Sequence, residues 1–180
     1  MEGNRLREIV LQAQAGRADA FEALVQRFGL EMYRLASAIV GPDDARDVAQ
    51  EAFIAAWRDL PRLNDPDRFL PWLRRIVVNR SRNALRSRGR RPTTSLDLPG
   101  GPAHRVAGVG DFRDAVDARQ ALDGAFNGLS ADQRAVIVLH YGSDLSIREA
   151  ADSMGVAVGT AKSRLNSALR RMRVAVEGQP

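Results

Sequence analysis

Apolar residues recur at three- and four-residue steps along most of this chain, the mark of helices that bury one face. Phe21, Leu24, Val25, Phe28, Met32, Leu35, Ala36 and Ile39 predict one such helix. Asp19 is its expected N-cap, Glu22 sits at the reciprocal capping position, and Gly41-Pro42 ends it. Asp43 or Asp44 is expected to cap a second helix running to about residue 60. Its inward side reads Val48, Ala49, Ala52, Phe53, Ala56 and Trp57, its outward side Asp47, Gln50, Glu51, Ile54 and Arg58. A polar turn rich in Pro, Asn and Asp then leads to a third helix over 69–87, with Pro71 tolerated in the first turn. Phe69, Trp72, Leu73, Ile76, Val77 and Leu85 supply its core face.

The periodicity stops at Pro92. Residues 92–111 carry prolines, glycines, Thr93, Thr94 and Ser95, the composition of a flexible linker. Helical spacing resumes near Phe112 with Val116, Ala121, Leu122, Ala125 and Phe126, and Gly128-Leu129 closes that helix. Ser130 and Gln133 form a capping box for the next helix, which bears Val136, Ile137, Leu139 and Tyr141 and stops at Gly142. A second box, Ser146 to Glu149, starts a short helix with Ile147, Ala150, Ala151 and Met154 on one side, and Gly155 supplies a left-handed stop. In the last helix Val158, Ala161, Leu165, Ala168, Leu169 and Met172 make the buried stripe. Thr160, Lys162, Ser163, Asn166, Ser167 and Arg170 face the other way. The expected fold is all-α: two small helical domains, 1–91 and 112–180, joined by the linker. The last two helices read either as a helix-turn-helix or as a plain hairpin with a solvated basic face.

Charge narrows the choice. The net charge of +5 and isoelectric point near 10.8 favour a polyanionic partner. Lys162 is the only lysine, so the arginine excess reflects composition bias, and its distribution carries the information. Between Arg74 and Arg91 there is no acid, while Arg74, Arg75, Arg80, Arg82, Arg86, Arg88, Arg90 and Arg91 accumulate. Such a run repels itself unless an anion lies against it, and the interleaved Asn79, Ser81, Asn83 and Ser87 suit nucleic acid better than a membrane surface. The acidic face at Asp47, Gln50 and Glu51 is ordinarily a solvated one, but Ile54 beside it tilts the reading toward a contact surface.

The inventory argues against an enzyme. There is no cysteine, the two histidines, His104 and His140, lie in unrelated contexts, and no phosphate loop or dinucleotide fingerprint occurs. No cofactor and no metal site are expected. The N-terminus lacks a signal peptide's apolar run and no stretch reaches the length of a membrane span, so a soluble cytoplasmic protein with no membrane insertion is expected.

Four segments, in order, resemble the extracytoplasmic-function (ECF) group of bacterial sigma factors. Residues 44–57, DARDVAQEAFIAAW, are similar to their polymerase-binding helix, and residues 69–79, FLPWLRRIVVN, to the start of their −10 recognition helix. Residues 129–138, LSADQRAVIV, and 158–165, VGTAKSRL, are similar to their −35 reading domain. The resemblance implies a transcription initiation factor that binds core RNA polymerase and promoter DNA. It also implies control in trans, with an anti-sigma factor as a candidate partner. Asp47, Gln50 and Glu51 would meet the polymerase. Asn79, Arg80, Asn83 and Arg86, with Asn64 and Asp65 in the loop 63–68, would engage the unpaired −10 strand. Thr160, Lys162, Ser163, Arg164, Asn166, Ser167 and Arg170 would meet the −35 element. Two positions depart from the pattern: Val156-Ala157 stand where relatives often have Ser or Cys and then Pro, and Asn83 is often aspartate. The residues alone also admit a dimeric helix-turn-helix repressor, or an RNA-binding or membrane-surface protein using 74–91.

Overall fold

In the computed structural model, which describes residues 2–88 and 122–177, every regular element is helical. The first half contains α1 (Glu2–Gln14), α2 (Ala18–Val40), α3 (Pro42–Asp59) and α4 (Phe69–Arg88). Between α3 and α4 the chain makes two 3-10 turns, Leu60–Arg62 and Pro66–Arg68. The second half contains α5 (residues 122–127), α6 (Ala131–Ile137), which runs on into a π-turn at Val138–Gly142, α7 (Ile147–Met154) and α8 (Val158–Glu177). The expected linker, Phe112, Val116, Ala121, His104, Arg90 and Arg91 lie outside the described residues.

The local chemistry explains most boundaries. Gly41, at φ 91°, both ends α2 and precedes α3, and Pro42 takes the first position of α3, where its missing N–H costs nothing. The helix therefore starts before Asp43 and Asp44, neither of which caps it. Asp19 is not a cap either: α2 starts at Ala18, and Asp19 pairs with Arg17 at 2.5 Å. That hydrogen bond holds the Asp19 carboxyl below its ordinary range. Both expected capping boxes form, with Ser130 and Gln133, and Ser146 and Glu149, bonded reciprocally. The hydroxyl and amide of Ser146 keep the Glu149 carboxyl below its ordinary range.

Phe69, Leu24, Met32, Ile39, Leu60 and Leu73 form the centre of the first half, and Leu139, Met154 and Val136 that of the second. These clusters are continuous, because α4 packs on α7 and α2 packs on α6. Five positions read as inward from periodicity stay exposed: Trp57 (39 %), Leu122 (49 %), Tyr141 (58 %), Val158 (41 %) and Leu169 (39 %). Spacing alone cannot tell such rim positions from core.

Gly155 closes α7 in the left-handed conformation, φ 66°, with backbone bonds Gly155 N to Asp152 O and Val156 N to Ala151 O at 3.0 Å. A Cβ there would also come within 2.6 Å of Nε of Arg75 on α4. Gly155→Ala is therefore expected to cost about 1–2 kcal/mol, chiefly from backbone strain because the Arg75 side chain is free to swing away. Urea unfolding of the two chains checks this; an unchanged midpoint would mean that the turn relaxes to another conformation.

Candidate polymerase and nucleic-acid interfaces

The first candidate surface is the outer side of α3. Ala45, Val48, Ala49, Ala52 and Ala56 are buried against α2 and α4, which turns Asp47, Gln50 and Glu51 to solvent. One turn further on, Ile54 is 62 % exposed. Between α2 and α3 lies an open groove of about 510 Å³, lined by Phe21, Val25, Phe53, Ile54 and Trp57 with Gln50 at its edge. Phe21 stacks at a tilt on Trp57 (4.8 Å between centroids) and meets Phe53 edge-on at 6.5 Å. An apolar floor beside a carboxylate rim is the anatomy of a protein-binding surface rather than of a solvated helix face.

The second surface comprises the loop before α4 and α4 itself. Pro66 is buried and Asn64 exposed, while Asp65 accepts a hydrogen bond from the Asp67 amide at 3.0 Å and so caps the second 3-10 turn. One oxygen of Asp65 is thus already engaged. On α4, Asn79, Asn83 and Arg86 are exposed, whereas Arg80 is half-buried and lies 3.6 Å from Glu51. The anions that the arginine run requires are partly the chain's own. Arg74 pairs with Glu31 at 2.7 Å, Arg88 with Asp44 at 2.8 Å, and Arg82 with Asp132 of α6.

The third surface is the outer side of α8. Ala161, Leu165 and Ala168 are buried, so Thr160, Lys162, Ser163, Asn166 and Arg170 point outward together. The Ser163 hydroxyl donates to the Thr160 carbonyl at 2.9 Å. Arg164 and Ser167 are turned toward α6 instead: Arg164 pairs with Asp132 at 2.8 Å, and Ser167 accepts from Gln133 at 3.2 Å. The seven residues expected on this surface therefore divide into five on the open face and two at its inner edge.

Asp132, which spacing and motif do not single out, joins the two halves. Its carboxylate receives Arg82 from α4 and Arg164 from α8, all three side chains being no more than 29 % exposed. Arg134, equally inconspicuous in the sequence, donates to the backbone carbonyls of Ile39 (2.9 Å), Leu129 (3.2 Å) and Asn127 (2.5 Å), knitting the end of α2 to α5. Burial lowers its pKa without a partner carboxylate to offset it. Arg68 with Asp152 makes a further bridge between the halves. In the sequence Asp132 and Arg134 are only two charges on the short helix α6, an acid in its first turn and a base in its last, and charges at helix ends are ordinary. Among the described residues no cluster of His, Asp or Glu could hold a metal ion, and no helix is long and apolar enough to cross a membrane.

The arrangement has counterparts among known proteins. The Sigma-70 region 2 family model matches residues 24–91, and the Sigma-70 region 4 model matches residues 119–172. The ECF RNA polymerase sigma-E factor of Escherichia coli K12 is 34 % identical over 165 residues, covering 87 % of this chain and 86 % of that protein. Two solved structures are also similar. CnrH, in complex with the cytosolic domain of CnrY, is 29 % identical, with a TM-score of 0.68 over 97 % of this chain and 99 % of its own. The sigma factor RpoE of Bartonella quintana, in complex with the anti-sigma factor NepR, is 27 % identical, with a TM-score of 0.62 over 89 % of this chain and 98 % of its own. The chain belongs to the ECF RNA polymerase sigma factors. It is accordingly a transcription initiation factor, which binds core polymerase and directs it to promoters through their −10 and −35 elements.

Proposed function

We propose that the labour is divided along the chain. Residues 1–91 bind core polymerase through Asp47, Gln50 and Glu51 and take the −10 strand on Asn64, Asp65, Asn79, Arg80, Asn83 and Arg86. Residues 92–111 are the tether, and residues 112–180 read the −35 duplex through Thr160, Lys162, Ser163, Asn166 and Arg170. Arg164 and Ser167 join them once they leave α6. The observation that carries this reading is the position of the three polar α3 residues beside an exposed apolar groove, with only Glu51 of the three reaching a basic helix, at Arg80 of α4.

The protein itself catalyses nothing in this reading. Positioned side chains hold a displaced strand by stacking and hydrogen bonding, and a major groove by phosphate and base-edge contacts. It acts in the cytoplasm, where core polymerase and promoter are. Control comes in trans from an anti-sigma factor, a reading supported by the complexes of CnrH with the CnrY cytosolic domain and of RpoE with NepR.

A gel shift on promoter DNA with and without core polymerase tests the proposal. The expected result is a specific shift only when core is present. A palindrome-dependent shift by the chain alone would point to a dimeric repressor, and preferential binding of RNA would point to α4 as an RNA surface.

A further inference from the structure

The region 2 match begins at residue 24, so α1 lies outside the part of the chain that the family model covers. Yet the last residue of α1 reaches into the loop assigned above to the −10 strand. The half-buried side-chain amide of Gln14 donates through Nε2 to two backbone carbonyls, Leu63 O at 2.7 Å and Leu60 O at 3.1 Å. These partners are 49 and 46 residues away in sequence, so the contact is tertiary rather than a local cap.

The loop needs such a donor. Its own backbone supplies Leu63 N to Leu60 O and Arg68 N to Asp65 O, each at 3.0 Å, and Phe69 N to Pro66 O. None of these bonds uses the Leu63 carbonyl, and the carbonyls at a helix end need partners from outside the helix. Seven residues before Gln14, and so two turns back on the same side of α1, Arg7 pairs with Asp67 at 2.5 Å. Both members of that pair are largely exposed, so it contributes little. Gln14 is the firmer anchor. With Leu60 and Pro66 buried and Asp65 capping the second turn, the Leu63 carbonyl fixes the peptide plane that leads into Asn64. The direction in which Asn64 presents its amide thus depends on Gln14.

We propose that Gln14 is a positioning residue for −10 recognition: it holds the loop in the one shape that aims Asn64 at an unpaired base, without itself touching DNA. The inference rests on the reading that this loop meets the −10 strand, and the experiment separates the two. Full-length wild type, Gln14→Met, Gln14→Lys and Asn64→Ala are each combined with core polymerase, and transcription is profiled from promoters randomised at −10. Methionine keeps the length of glutamine but has no donor, whereas lysine restores one.

Gln14→Met is expected to flatten the base preference at the same −10 position as Asn64→Ala, by about fivefold or more, fivefold being the low end for removal of two hydrogen bonds. Affinity for core and for −35 duplex should not change, and Gln14→Lys should recover most of the preference. A general loss of stability would lower all of these readings together, so the position-specific change is the decisive one. If Asn64→Ala alters the preference while Gln14→Met does not, Gln14 is overturned as a positioning residue and the loop assignment survives. If Asn64→Ala leaves the preference unchanged, the loop assignment fails and the inference with it.

Discussion

Core polymerase is expected to bind the triple variant Asp47→Ala, Gln50→Ala, Glu51→Ala about 100-fold more weakly than the original chain. Two to three kcal/mol spread over about three residues is ordinary for the centre of a protein interface. The fold should barely notice. All three side chains are exposed on α3, alanine is the better helix former, and surface changes of this kind usually stay within about 0.5 kcal/mol each. Within the chain, the triple variant removes the Glu51–Arg80 pair at 3.6 Å, whose side chains are 62 % and 37 % exposed, where an ion pair contributes little. Carboxylates also steer encounter, so part of the loss should appear in the association rate and shrink as salt is raised. Ile54→Ala tests the apolar half of the same surface, since 62 % of that side chain is exposed with nothing of its own fold to cover it. Fluorescence anisotropy of labelled factor against core, alongside a thermal melt, separates binding from stability. Unchanged affinity in the triple variant would remove α3 from the interface.

How far the sequence foretold this molecule depends on whether a feature is local. The two capping boxes and the stop at Gly155 involve residues within five positions of one another, and all three formed as expected. The faces of α3 and α8 follow from spacing, so Asp47, Gln50, Glu51, Lys162 and Asn166 are exposed as expected. Expectation and structure part where two local signals compete. At Pro42, a residue suited to the first helical position displaced the aspartates that would otherwise cap, and Asp44 went to Arg88. At Asp19 a neighbouring arginine took the carboxylate. What could not be read were the contacts between distant segments. Arg164 has the right type and place for a DNA contact, yet its partner, Asp132, becomes visible only once α6 and α8 are packed. Gln14 is an unremarkable helix-end residue until the loop at residue 63 folds against it.

The final expected result is that the two halves move apart when the factor engages a promoter. The −10 and −35 elements are separated by about 25 base pairs, or about 85 Å of duplex at ~3.4 Å per pair. A compact chain of this size has a radius of gyration of about 16 Å and spans about 40 Å. With α4 against α7 and Arg82 and Arg164 on the same carboxylate, the surfaces assigned to the two elements are too close together to reach both. On the proposed division of labour, DNA competes with Asp132 for Arg164, and the proposed tether between the halves then sets how often both sites are filled. The chain has no cysteine, so dyes can be placed cleanly at Leu30→Cys on α2 and Val174→Cys on α8, exposed positions at 59 % and 70 %. Energy transfer should be high in the free factor and fall steeply with core polymerase and promoter together. Asp132→Ala leaves Arg82 and Arg164 facing each other, half-buried and without their anion, and should weaken the contact by about 1–3 kcal/mol, between the values for exposed and buried pairs. Its free form should then show lower transfer, an effect that added salt partly reverses by screening the two like charges. Transfer that stays high in the promoter complex would mean that the two halves remain packed while both elements are read, and that the DNA bends to meet them.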